Sequence, residues 1–109
     1  MANITGTGGN DNLVGGNLND VINGLAGHDT MTGLKGNDTY FVDDGMDTIV
    51  EKAGEGFDTV IASTNHSLWY NVEKLVMAAG AGNLWGYGND ASNVLIGNEG
   101  NNLDRKSVV

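Results

Sequence analysis

The sequence predicts an all-β solenoid of parallel strands, with two nine-residue repeats to each coil. Three observations carry that expectation. Aspartates fall at Asp11, Asp20, Asp29, Asp38 and Asp47, each nine residues after the last. A large apolar residue (Leu13, Ile22, Met31, Tyr40, Ile49) stands two places after each. A turn rich in glycine precedes each aspartate: GTGGND, GGNLND, GLAGHD, GLKGND and the more degenerate VDDGMD.

Each part of the repeat has a physical role. Three residues, such as Asn12-Leu13-Val14, form a strand. Side chains alternate across a strand, so the central residue faces inward and its flanks face outward. The remaining six turn the chain, and glycine supplies the positive φ and the close backbone approach that sharp turns need. With two repeats to a coil, residues eighteen apart stack at about 4.8 Å. Asp11 then lies over Asp29, Asp20 over Asp38, and Asp29 over Asp47.

Stacked and ionised, two such carboxylates repel by roughly 3–4 kcal/mol at an effective dielectric near 20. A hard divalent cation between them removes the conflict, because it takes carboxylate and backbone carbonyl oxygens together. The candidate ligands are the side chains of Asp11, Asp20, Asp29, Asp38 and Asp47 with carbonyls of their turns. Those carbonyls are Gly6, Gly8 and Gly9 in the first turn and Gly15 and Asn17 in the second. Gly24, Ala26 and Gly27 supply the third turn, and Gly33, Lys35 and Gly36 the fourth. Calcium, as two or more ions, suits this flexible cage better than magnesium, which demands octahedral geometry and keeps its waters. A segment of this kind is expected to be disordered without metal and to fold as metal binds.

The repeat has departures. Leu18 stands where a fourth-position glycine belongs, and Leu25 and Leu34 replace second-position glycines. Val42 and Asp43 replace glycine in the fifth turn, which weakens the pair ending at Asp47. The bland alternative is a disordered Gly/Asn-rich linker, but a linker has no reason to keep an apolar residue at every ninth position.

Along the chain, Ile4 lies nine before Leu13 and is expected to face inward from a capping strand. His28 is expected as a solvated turn residue. After Val50 the register slips: Glu51 to Phe57 reads as a polar turn, and Asp58 comes eleven after Asp47. Strands are expected at 58–63, 68–70 and 72–77, with Val72, Leu75 or Val76 inward. From Gly80 the composition is rich in glycine again, with strands expected at Asn83-Leu84-Trp85 and Val94-Leu95-Ile96. Asp90 is a lesser candidate ligand, and Asn102 stands where a repeat aspartate would be. The expected organisation is metal-binding repeats over 1–51, a metal-poor continuation over 52–79 and a second, truncated repeat segment over 80–103.

Composition bounds the function. A chain of 109 residues is one domain at most. The net charge of -9 excludes attraction to nucleic acid or to an anionic membrane surface. The absence of cysteine excludes disulfides and a zinc–thiolate site, and no apolar run is long enough to span a membrane. The N-terminus has neither a charged leader nor an apolar stretch of the secretory kind. The absence of proline suits short stacked strands. Asp58, Ser63, His66 and Ser67 are close in sequence but read as a polar turn, since a triad needs a third orienting group and an oxyanion hole. No catalytic constellation is expected in this chain. Trp69, Tyr70, Trp85 and Tyr87 offer an alternative, a sugar-stacking platform.

Residues 6–50 resemble the hemolysin-type calcium-binding repeats of the RTX family. Residues 38–102 are similar to the segment that often follows them, in the words DTYFVD, GFDTVIAS, NVEKLVM and GNEGNN. The resemblance implies a right-handed parallel β-roll with calcium as its cofactor. It implies type I secretion through an uncleaved C-terminal signal, and folding outside the cell. The function so implied is that of a calcium-dependent folding and stabilising module of a secreted bacterial protein, beside adjoining domains whose activity does not carry over. The alternatives are a carbohydrate- or surface-binding, adhesin-like module, or a non-catalytic fragment of a secreted hydrolase. The last six residues, DRKSVV, fall outside the pattern, and 104–109 is expected to be a non-native tail after an interruption near Leu103.

Overall fold

The computed structural model describes residues 2–43, 47–51, 56–64, 66–67, 71–87, 94–98 and 103–105. The side chains of Ala2, His66, Ser67, Trp85, Tyr87 and residues 103–105 lie outside that description. The described residues form twelve short strands and no helix. In order these are β1 (Ala2–Thr5), β2 (Asn12–Val14), β3 (Asp20–Asn23), β4 (Thr30–Thr32), β5 (Thr39–Val42) and β6 (Thr48–Val50). They continue with β7 (Thr59–Ala62), β8 (His66–Ser67), β9 (Lys74–Met77), β10 (Trp85–Tyr87), β11 (Val94–Ile96) and β12 (Leu103–Arg105).

Alternate strands join one sheet, so the chain winds as a β-solenoid. The odd-numbered strands make a six-stranded sheet, β1-β3-β5-β7-β9-β11. The even-numbered strands make two three-stranded sheets, β2-β4-β6 and β8-β10-β12. All the pairings are parallel. The register is that of two nonapeptides to a coil: Ile4 faces Ile22, Ile22 faces Tyr40, Leu13 faces Met31, and Met31 faces Ile49.

The inward residues stack into the core. Ile22, Met31, Tyr40, Val42, Ile49, Val60, Ala62, Val72 and Leu75 form one buried cluster, with Ile4, Leu13 and Leu95 packed against it from the terminal coils. Each buried aliphatic side chain contributes about 1.5–3 kcal/mol. The outward flanks of the strands are rich in threonine (Thr30, Thr32, Thr39, Thr48, Thr59), a branched residue that suits a half-buried pleated surface.

Beyond Val50 the coil length changes but the stacking persists. Tyr40 pairs with Val60, Val60 with Leu75, and Leu75 with Leu95, so consecutive coils differ in length while their inward residues stay in column. The strand expected at 58–63 is β7, and that at 72–77 is β9, where Leu75 and Met77 face inward and Val76 does not. His66 and Ser67 form a strand rather than a turn, because they pair with Gly86 and Tyr87 of β10. The strand expected at Asn83-Leu84-Trp85 starts two residues later, at Trp85. Gly86 is its buried central residue, and it has no side chain to mark the inward position in sequence. β11 lies where expected. The strand expected at 68–70 falls outside the described residues. β12 pairs with β10 through Leu103, Asp104 and Arg105, so two residues of the DRKSVV segment lie in a strand.

Candidate metal centre

The turns between the two sheet faces carry the aspartates, and the strand register sets their stacking. Each repeat aspartate sits just before an outward residue of its strand (Asn12, Val21, Thr30, Thr39 or Thr48), so it closes the turn and starts the ladder. The backbone of Asp11 engages the coil above at two points: its carbonyl accepts the amide of Thr30, and its amide donates to Oδ1 of Asp29 at 2.9 Å. The same bond links Asp29 to Asp47 Oδ1 and Asp20 to Asp38 Oδ1, both at 2.9 Å. One carboxylate oxygen therefore ties coil to coil through a charge-assisted hydrogen bond.

The other oxygen faces the glycine turn of its own repeat. In the first two repeats Oδ2 is held from four residues upstream, by the Thr7 amide on Asp11 and the Gly16 amide on Asp20. In the third repeat the corresponding amide, of Leu25, turns instead to Asn23 Oδ1. Asp29 Oδ2 is left buried with no hydrogen-bond partner, and so is Asp47 Oδ2. Both residues are 1 % exposed. A buried carboxylate oxygen without a donor is costly, and a cation is the group that answers it.

First-position glycines make room for these oxygens. A Cβ at Gly6 would lie 2.5 Å from Asp11 Oδ2 and 2.8 Å from the Gly24 carbonyl of the next coil. A Cβ at Gly15 would meet Asp20 Oδ2 and the Gly33 carbonyl in the same way. Carboxylate and carbonyl oxygens thus converge on one side of each turn, a donor set of hard oxygens that suits calcium.

Electrostatics follows from this burial. The carboxyl of Asp29 is held above its ordinary range by desolvation; the Asp11 amide opposes the shift, and the charges of Asp11 and Asp43 add to it. Asp47 is raised by burial too, opposed by the Asp29 amide and reinforced by the charges of Asp29 and Asp43. Asp43 itself is exposed.

Sequence reasoning missed part of the ladder. The Asp38 amide donates to Oδ1 of Asp58, twenty residues on, and the Asp58 amide donates to Oε1 of Glu73 at 2.7 Å. The column Asp20, Asp38, Asp58 thus runs past the nonapeptide register and ends on a glutamate. No fixed spacing marks Glu73; its only signal is an acidic residue just before the apolar strand β9. Glu51, expected in a polar turn, is buried, with its carboxyl pushed up to about 8 by burial; the Tyr40 hydroxyl opposes this, and the charges of Asp58 and Asp38 add to it. The Tyr40 hydroxyl is raised well above its usual range, first by burial and then by Glu51.

A second ladder lies one residue before the first. Asn10 Oδ1 accepts the His28 amide, Asn19 Oδ1 accepts the Asn37 amide, and Asn37 Oδ1 accepts the Phe57 amide. His28 is exposed, as expected of a turn residue. Asp58, one of the residues considered for catalysis, is committed to the carboxylate ladder. Asp90, Asn102, Trp69 and Tyr70 lie outside the described residues.

A sequence model for the RTX calcium-binding nonapeptide repeat matches in four copies, over residues 5–40, 14–49 and 87–103, which is more than half of the chain. The chain belongs to the RTX calcium-binding nonapeptide repeat family. Calcium binding comes with that membership, and the match at 87–103 shows that the RTX pattern returns near the end of the chain. No curated protein and no solved structure gives a match. No described helix is long and apolar enough to cross a membrane.

Proposed function

We propose that this chain is a calcium-dependent folding module of a secreted RTX protein. One observation carries the reading: Asp29 is buried between Asp11 and Asp47, with Oδ1 committed to the ladder and Oδ2 without a donor. Calcium, when bound, supplies the positive charge that this stack of carboxylates lacks. The ligand pairs are Asp11 with Asp29, Asp20 with Asp38, and Asp29 with Asp47. The carbonyls of Gly6, Gly8, Gly9, Gly15, Asn17, Gly24, Ala26, Gly27, Gly33, Lys35 and Gly36 complete the cages, for two or more ions. The pairs exist only once the coils are stacked, so binding and folding are one event. Membership of the RTX family supports an extracellular setting, where calcium modules work with dissociation constants on the order of 10⁻⁴–10⁻³ M.

Calorimetric titration of the whole chain with calcium chloride tests this reading. Uptake of at least two ions in the millimolar range or below is the expected result. No heat of binding at millimolar calcium would remove it.

A further inference from the structure

Four first-position glycines, Gly6, Gly15, Gly24 and Gly33, open the first four turns. Eighteen residues after Gly33, the same turn position holds Glu51. Gly33 has no room for a Cβ, which would strike Asp38 Oδ2 and the Tyr40 hydroxyl. One coil further on, Glu51 fills the corresponding space with a side chain that is only 8 % exposed. The Tyr40 hydroxyl donates to its Oε2, while Oε1 is buried with no hydrogen-bond partner. Ligand oxygens of Glu51, Asp38 and Asp58 all lie within 4.8 Å of one another.

We propose that Glu51, Asp38 and Asp58 form a further calcium site at the point where the nonapeptide register ends, with Tyr40 as the residue that orients Glu51. It shares Asp38 with the repeat array but takes its other two carboxylates from outside it. Oxygens on a calcium shell of radius 2.3–2.6 Å lie at most about 4.6–5.2 Å apart, so one ion can span a cluster that lies within 4.8 Å. The ladder fixes two of the three ligands, since Asp58 Oδ1 accepts the Asp38 amide and Asp38 Oδ1 accepts the Asp20 amide. The Tyr40 hydroxyl fixes the third, so the three carboxylates are positioned by groups that do not themselves need the ion. The site closes the array at its last regular coil, where the next first-position glycine would otherwise leave the Asp38–Asp58 step open.

The test counts ions. Calcium calorimetry and circular dichroism are run on the whole chain, on Glu51→Gln and on Asp58→Asn. The proposal expects the wild type to bind one ion more than Glu51→Gln, while the variant still folds with calcium at a midpoint within about twofold of wild type. Terbium luminescence excited through tyrosine supplies a second readout on folded protein, because Tyr40 touches the site: Tyr40→Phe and Glu51→Gln are expected to remove the same emission component. Should Glu51→Gln fail to fold, Asp58→Asn decides by the same count, since asparagine keeps an acceptor for the Asp38 amide; should both fail, the Tyr40→Phe luminescence difference decides. Equal ion counts in wild type and variant, or unchanged terbium emission in Tyr40→Phe, would overturn the site and leave Glu51 and Asp58 sharing a proton. Failure of the folding module itself would show separately, as a wild-type chain whose circular dichroism ignores calcium.

Discussion

The amide of Asp29 donates to Oδ1 of Asp47 at 2.9 Å, one full coil away, while Asp29 Oδ1 accepts the amide of Asp11. Asp29 and Asp38 therefore each have two duties. One oxygen splices coil to coil, and the other is turned to the glycine cradle. Loss of the charge and loss of the acceptor are separable, because asparagine retains an acceptor oxygen while alanine does not.

The glycine cradle makes position-specific demands. A Cβ at Gly24 would strike the Asp29 carboxylate, whereas one at Gly16 would meet nothing within 4 Å. Gly24→Ala is expected to destabilise the calcium-bound roll by about 1–3 kcal/mol, the usual cost of overpacking. Gly16→Ala is expected to be neutral or mildly stabilising. Thermal melts of both variants in saturating calcium check this; equal losses would contradict it.

Leu25 and Leu34 adopt left-handed backbone, with φ of 63° and 64°. A non-glycine residue there carries about 1–2 kcal/mol of strain. The exposed Leu25 has little packing to lose. Leu25→Gly is therefore expected to raise stability in calcium by about 0.5–1 kcal/mol, after the greater chain entropy of glycine is subtracted. Denaturant unfolding in saturating calcium measures it, and a loss of stability would show that the Leu25 side chain matters more than its backbone.

The raised carboxyls set a pH dependence. Asp29 and Asp47 sit above 3.8, and Glu51 is raised from 4.5 to about 8. In each case the folded, metal-free chain holds the proton more tightly than the unfolded chain. The stability so contributed is fully present below the unfolded pKa and is lost as pH rises through the folded one. For Glu51 that window runs from about 4.5 to about 8. With a chelator present, residual β structure is expected to be greater at pH 5 than at pH 8. Circular dichroism in chelator at three pH values gives the slope; residual β structure that grows as pH rises would contradict the assignment.

The solenoid and its register were legible in the sequence because both depend on short-range period. A strand needs only its central apolar residue, and Leu13, Ile22, Met31, Tyr40 and Ile49 mark five inward positions at one spacing. The stacking partners of Asp11, Asp20 and Asp29 follow from the same count. Glu73 escaped because its coil is shorter and its side chain longer, so no fixed offset leads to it. Glu51 escaped because a charged residue in a glycine-rich turn reads as solvated, and only the Tyr40 hydroxyl and the Asp38–Asp58 pair draw it inside. β10 was misplaced by two residues because its inward residue is Gly86. The asparagine ladder of Asn10, Asn19 and Asn37 looked like turn composition, although each side chain accepts an amide from the next coil.

The most direct test of the central claim, that stacked repeat aspartates couple calcium binding to folding, is the calcium midpoint of folding across single-site variants. Circular dichroism is followed during calcium titration of the wild type and of Asp11→Ala, Asp29→Ala, Asp29→Asn, Asp43→Ala and Asp47→Ala. Asp29 belongs to two pairs, so Asp29→Ala is expected to raise the midpoint most, with Asp11→Ala and Asp47→Ala next. Asp29→Asn should fall short of Asp29→Ala by the worth of the retained ladder bond, which is made to a neutral amide oxygen and is worth about 0.5–1.5 kcal/mol. Asp43 is exposed and outside the ladder, so Asp43→Ala should leave the midpoint near wild type. A calcium-induced β transition with that order of midpoints is expected; an Asp43→Ala midpoint as high as that of Asp29→Ala would contradict it.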